Sequence, residues 1–179
     1  MLMLDQQTAD FGSIVETLEK SGGSPNSSAL ASIALALAKL FNVKQDEVAV
    51  LRIVPKYKSL MFVLPEKLSN IGTIPLTSAT ALAARTAREN KPELVNNFST
   101  ARHANVFEAV PLGRDRRELI HKIMSAPIKD GTHMNGVIQI SRKAATLTEA
   151  GADFSQKDLR TLVSLCPMLN RFLKLCNAD

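Results

Sequence analysis

The residues of this sequence with the most chemical potential are its histidines, its cysteines and one dense run of arginines. Cys166 and Cys176 stand near the C-terminus without a C-x-x-C pair, and His103, His121 and His133 lie far from them in sequence. Two thiols alone do not complete a zinc site, so no metal is expected. The chain carries no H-E-x-x-H, no G-x-S-x-G and no Gly-rich phosphate cradle. Its carboxylates are scattered, with no obvious pair for acid–base work. The expectation is therefore a protein that is not an enzyme and has no catalytic residues.

Arg114-Asp115-Arg116-Arg117, followed by His121 and Lys122, is the densest basic cluster. Guanidinium forks bind phosphate or carboxylate well, so Arg114 and Arg116 are candidates for the rim of an anion site. The plainer alternative is a solvated loop neutralised by Asp115 and Glu118. A second candidate set is Asn96, Asn97 and Phe98 with His103, Val106 and Phe107, because a ligand site wants an apolar lining with a few placed polar groups. Phe98 and Phe107 could equally fill that space as core.

Charge is unevenly placed. Residues 1–50 hold three basic and six acidic side chains, and the rest of the chain holds nineteen and eleven, for a net +5. A basic half attracts phosphates, which keeps a nucleic-acid-associated protein as a third-ranked reading. Aromatic residues are only 4% and Trp is absent, which argues against base-stacking platforms. Met1-Leu2-Met3-Leu4-Asp5 has no basic n-region, and the apolar stretch Ala29–Ala38 is about half of a membrane span. These features predict a cytoplasmic chain with reduced thiols and no membrane contact.

The elements that must position such groups follow from periodicity. Phe11, Ile14, Val15 and Leu18 recur at helical spacing within Asp5 to Lys20. Leu30, Ile33, Leu37 and Leu40 mark a second helix, capped by Asn26 or Ser27 and ending near Phe41. Glu47–Val54 and Tyr57–Leu64 read as a buried hairpin, and Leu68–Leu76 as a short edge strand because Pro75 cannot donate to a ladder. Thr77 or Ser78 would cap a helix over Ala79–Asn90, and Leu94-Val95-Asn96 is extended. Phe98–Arg117 has no clean period and suits a covering segment. Ile120–Ile128 and Met134–Arg142 pair across an Asp-Gly turn. In the second of these strands Met134, Gly136, Ile138 and Ile140 should share one face, with Asn135, Val137, Gln139 and Ser141 on the other. Ser155 caps a last helix from Gln156 to Leu175.

The fold class that results is α+β. A central antiparallel sheet of about five to six strands carries the N-terminal and C-terminal helices on one face and a pocket-covering region on the other. Residues 1–45 form a helical segment packing with the C-terminal helix, and residues 46–176 form the single globular unit.

Several strings in this order resemble the GAF family of ligand-sensing domains, whose fold is GAF/PAS-like. They are Ile74-Pro75-Leu76-Thr77 with Ala81-Leu82-Ala83-Ala84-Arg85, Asn90-Lys91-Pro92-Glu93-Leu94-Val95-Asn96-Asn97, Ser125-Ala126-Pro127-Ile128, Gly136-Val137-Ile138-Gln139-Ile140, and Phe154-Ser155-Gln156-Lys157-Asp158. The cyclic-nucleotide-binding members carry a pattern that Lys143, Phe154 and Asp158 match, while Arg142 and Leu159 depart from it. Lys143 and Asp158 would then form an ion pair between the last strand and the final helix, with a structural role. Bilin attachment and sulfoxide reduction both need pocket cysteines, and both cysteines here fall in the last helix. Haem would rest on His103 alone. The cofactor, if there is one, stays unidentified.

Leu159, Leu162, Cys166, Leu169 and Leu173 make a seam at spacings of three and four. It is long enough to pack on another helix, either the N-terminal pair or a second protomer, and a homodimer is the preferred reading. The resemblance implies a small-molecule sensor or regulatory domain signalling through a separate output protein. The alternative is a dimeric interaction module without a ligand.

Overall fold

The computed structural model describes residues 2–98 and 118–176. It begins with two helices, α1 (Leu2–Ser21) and α2 (Ser27–Phe41). Gly22 and Gly23, at φ of 68° and 80°, turn the chain between them. Asn26 caps α2 by accepting the Ala29 N–H at 2.9 Å, which satisfies one of the orphan donors of the first turn. Asn42 ends the helix in the left-handed region, its N–H directed to the carbonyls of Ala38 and Lys39.

Six strands follow: β1 (Val48–Val54), β2 (Ser59–Leu64), β3 (Thr73–Pro75), β4 (Glu93–Val95), β5 (Leu119–Asp130) and β6 (His133–Ala144). They form one sheet in the order β3-β2-β1-β6-β5-β4. Every neighbouring pair is antiparallel, as the short connections require. Helix α3 (Leu82–Glu89) crosses between β3 and β4. It is shorter than the Ala79–Asn90 span expected: its N-cap is Ala81, in extended conformation, and Ser78 accepts the Ala81 N–H at 3.1 Å in the turn that precedes the helix. Helix α4 (Gln156–Cys176) closes the fold. Its first turn carries a capping box: Ser155 Oγ accepts the Asp158 N–H at 3.2 Å, and the Asp158 carboxylate accepts the Ser155 N–H at 2.7 Å.

Strand alternation divides the core in two. Val48, Val50, Met124, Ala126, Ile128, Ile138 and Ile140 face α1, α2 and α4. Ala49, Leu51, Leu60, Phe62, Ile123 and Val137 face the opposite way, toward α3. At the start of β6 this alternation slips. Met134 packs with the α3-side cluster, while Asn135 donates to Asn170 of α4 at 2.6 Å. The expected face assignment is thus reversed at these two positions. The pairing with β5 shifts register between Ile128 and Lys129, and such an irregularity re-aims the side chains beside it. Gly136 is fixed by space. A Cβ there would stand 2.2 Å from the Leu51 carbonyl oxygen and 2.7 Å from Leu173 Cδ1.

The α4 seam is satisfied inside the chain. Leu162, Cys166, Leu169 and Leu173 are buried with Phe11 and Val15 of α1 and with the inner sheet face, and Leu159 packs against the same cluster. The expected use of these five residues between protomers is corrected accordingly: their faces are already covered by the chain's own sheet and α1.

Candidate functional site

The α3-side face of the sheet is largely apolar and carries a line of buried polar groups. Thr86, Ser125, Gln139 and Ser141 are buried there among Ala49, Ile123, Val137 and the α3 residues Leu82, Ala83 and Ala87. Thr86 Oγ1 donates to the Leu82 carbonyl at 2.9 Å, the back-bond open to a helical threonine. A hydroxyl has one hydrogen, so the 2.7 Å contact between Thr86 and Ser125 is donated by Ser125. Gln139 Nε2 in turn donates to Ser125 Oγ at 3.3 Å. The result is a directional relay running from Gln139 to Ser125 to Thr86 to the α3 backbone, with the Gln139 amide at its head.

The candidate residues nearest this face take different roles. Phe98 is 6% exposed and packs into the α3-side cluster. Asn97 is exposed. Asn96 turns away from the face. Its Oδ1 accepts the Phe154 N–H and its Nδ2 donates to the Phe154 carbonyl, both at 3.0 Å. It therefore braces the Phe154 backbone. His103, Val106, Phe107, Arg114 and Arg116 lie outside the described residues, as does the covering segment expected over the sheet.

His121 and Lys122, grouped in sequence with the arginines, are both buried. His121 Nε2 contacts the Ala144 carbonyl at 3.1 Å. Lys122 Nζ donates to the Gly151 carbonyl and pairs with Asp153 at 2.7 Å. Its charge is committed to the loop before α4, so Lys122 is not part of an anion rim.

A polar cleft of about 530 Å³ opens at the far end of β6, lined by Asn42, Lys44, Glu47, Glu118, Arg142 and Lys143 among others. Its frame is built by Glu47, a buried carboxylate whose oxygens accept the Lys44 N–H at 2.7 Å and the Lys143 N–H at 2.6 Å. Burial pushes the Lys143 amine down from its ordinary 10.5 to about 8, against the opposing pull of Asp46 and Glu47. Lys143 Nζ donates to the Asp46 carbonyl at 2.8 Å, and Asp158 is engaged in its own helix cap. The expected Lys143–Asp158 ion pair is not among the ion pairs of the described residues, because each partner has a nearer one. Both cysteines lie on α4. Burial raises the Cys166 thiol to about 12 and the Cys176 thiol to about 11, the latter opposed by the charge of Arg52.

A family model described as GAF domain matches residues 26–171, from the α2 cap to the last turns of α4. This chain belongs to the GAF domain family. GAF domains are in general sensory or regulatory modules of signalling proteins. No curated protein matches the sequence. The GAF architecture recurs in solved structures. The chain is similar to the GAF domain of an Acinetobacter phosphoenolpyruvate-protein phosphotransferase (15% identity, 96% of this chain and 95% of that one, TM-score 0.65). It is also similar to the free methionine-R-sulfoxide reductase of Neisseria meningitidis (13%, 97% and 90%, TM-score 0.65). A third is a methyl-accepting chemotaxis protein, residues 122 to 287 (14%, 93% and 99%, TM-score 0.65). Likeness at such identities concerns the GAF fold alone. No helix among the described residues is long and apolar enough to cross a membrane.

Proposed function

We propose that this GAF domain is a sensing or regulatory module. It holds a small molecule against the α3-side face of the sheet and acts through a separate partner, without a catalytic step of its own. The observation that carries this reading is the relay of Gln139, Ser125 and Thr86. A few ordered polar groups in a largely apolar face are what a small-molecule site requires. The Gln139 amide is the handle. Its ligand is a hydrogen-bonding molecule, since the amide both donates and accepts and the Arg85–Glu93 pair on the same face is closed on itself at 2.6 Å. The two free cysteines support a reducing, cytoplasmic setting.

Native mass spectrometry of freshly purified protein tests the reading. The expected spectrum shows a retained small molecule at one per chain, diminished in Gln139→Leu. A bare wild-type chain supports the second reading, a ligand-free interaction module, which the burial of Phe98 in the same face favours. The same spectrum reports subunit number. A homodimer would use the outer surface of α1 and α2, where Ile14, Leu35 and Ala36 line a groove of about 260 Å³.

A further inference from the structure

The end of β4 and the end of α2 are far apart in sequence and joined by a short series of side-chain contacts. Asn96, directly after β4, clamps the Phe154 backbone in both directions at 3.0 Å. The Phe154 ring lies under the Arg142 guanidinium, 4.6 Å from its carbon to the ring centroid. Arg142 donates to the carbonyls of Asn42 at 3.0 Å and of Phe41 at 3.4 Å. These are the last carbonyls of α2, where a cation is also favoured by the helix dipole. Arg142 Nε is buried without an acceptor among the described residues. A position that leaves a buried donor unsatisfied is held by its other contacts.

We propose that Asn96, Phe154 and Arg142 form one mechanical linkage that passes a displacement at the end of β4 to the C-terminus of α2. Two features make it a linkage rather than three separate contacts. Phe154 is shared: its backbone is gripped by Asn96 while its ring supports Arg142, and residues that share a partner couple non-additively. The input end is also weakly held. β4 has three residues and, among the described residues, sits at the sheet edge with β5 as its one strand neighbour, and such elements open before the core does. The output end is a helix terminus at the rim of the 530 Å³ cleft, which Asn42 and Arg142 both line. As regulation, the linkage rests on the sensing role proposed above. As mechanics, it does not.

Amide hydrogen exchange on the unliganded chain tests it. The reporter is the Val43 N–H, bonded to the Ala38 carbonyl at 3.0 Å at the end of α2. Asn96→Ala is expected to speed Val43 exchange at least 5-fold relative to Thr86→Val, a control on the opposite sheet face. Asn96→Asp, which keeps the acceptor and loses the donor, should fall between and serves if the alanine variant fails to fold. Adding Arg142→Lys to either Asn96 variant should produce less than the product of the two single effects. Val43 exchange matching the Thr86→Val control, or strictly multiplicative effects, overturns the linkage. Because no ligand enters the measurement, that failure is separate from failure of the sensing reading, which native mass spectrometry decides.

Discussion

Thr86 on α3 and Ser125 on β5 place their hydroxyls 2.7 Å apart in the buried layer between helix and sheet. Ser125 donates and Thr86 hands its own hydrogen to the Leu82 carbonyl. Thr86→Val keeps the shape and removes both bonds. A buried hydrogen bond of this kind is worth about 1 kcal/mol net, and stranding a partner adds to it. Thr86→Val should therefore destabilise the fold by about 1–3 kcal/mol in urea denaturation. Ser125→Ala should cost a similar amount, and the double variant less than their sum. Strict additivity would show that the relay does not act as a unit.

Leu169 has no exposed surface, while Val163, on the outer side of the same helix, is 40% exposed. Leu169→Ala should cost about 2–5 kcal/mol, the usual range for a core leucine. Leu169→Asp should abolish folding at any protein concentration. Val163→Asp should leave thermal stability within about 0.5 kcal/mol of wild type, as surface changes do. A folded Leu169→Asp monomer would contradict the intrachain packing of α4.

Gly136→Ala tests the contact between β6, β1 and α4. The added methyl meets backbone oxygen on one side and Leu173 on the other. Overpacking typically costs about 1–3 kcal/mol, and backbone cannot yield as a side chain does. A loss of at least about 2 kcal/mol is expected, read as a lowered urea midpoint.

Lys143 gives a pH signature. Burial is the largest cause and lowers its folded pKa to about 8, so below that pH both states are protonated and the penalty for burying the charge is fully present. Between about 8 and 10.5 the unfolded chain binds the extra proton, and stability from this group rises with pH. The gain across the window is up to on the order of 3 kcal/mol. Wild type should therefore gain stability over Lys143→Met between pH 7.5 and 9.5. An unchanged difference would mean the amine is better solvated than its surroundings indicate.

The thiols should be inert in the folded chain. Burial raises both, Cys166 to about 12 and Cys176 to about 11. The thiolate is the reactive species, so a thiol reagent at pH 7.5 should label neither quickly. Cys166 should become reactive at the rate of unfolding. Rapid labelling of Cys166 under native conditions would show that α4 opens without global unfolding.

Much of the fold was legible in the sequence because it depends on period. The stripe Leu30, Ile33, Leu37 and Leu40 announced α2, and the Asp-Gly pair announced the β5–β6 hairpin. Period shows that an apolar face exists and is silent about what covers it, which is why the α4 seam suits either the N-terminal pair or a second protomer, with the homodimer preferred. Lys143 and Asp158 were paired by their likeness to a family pattern, although Ser155, three residues before Asp158, already marked a cap. The slip at Met134 arises because Asn135 is an extra residue of β6 set against the single step from Ile128 to Lys129 in β5, and hydrophobic period alone does not mark an inserted residue. The relay of Thr86, Ser125 and Gln139 joins residues 39 and 14 positions apart on three elements. Each is an ordinary polar residue, and only the pairing of β5 with β6 under α3 brings them together.

Gly12 of α1 faces Met168 of α4 so closely that a Cβ would stand 3.2 Å from its sulfur, and Glu19 grips Arg171 further along the same contact at 2.5 Å. The first helix thus lies flush against the last. A chain trimmed to residue 46, the boundary that the helix-then-strand order invites, would lose this wrapping. Leu162, Leu169 and Phe172 would meet water, and the excised fragment would clump or borrow a neighbour's surface. Subcloning that fragment would create an assembly through a surface that α1 otherwise covers.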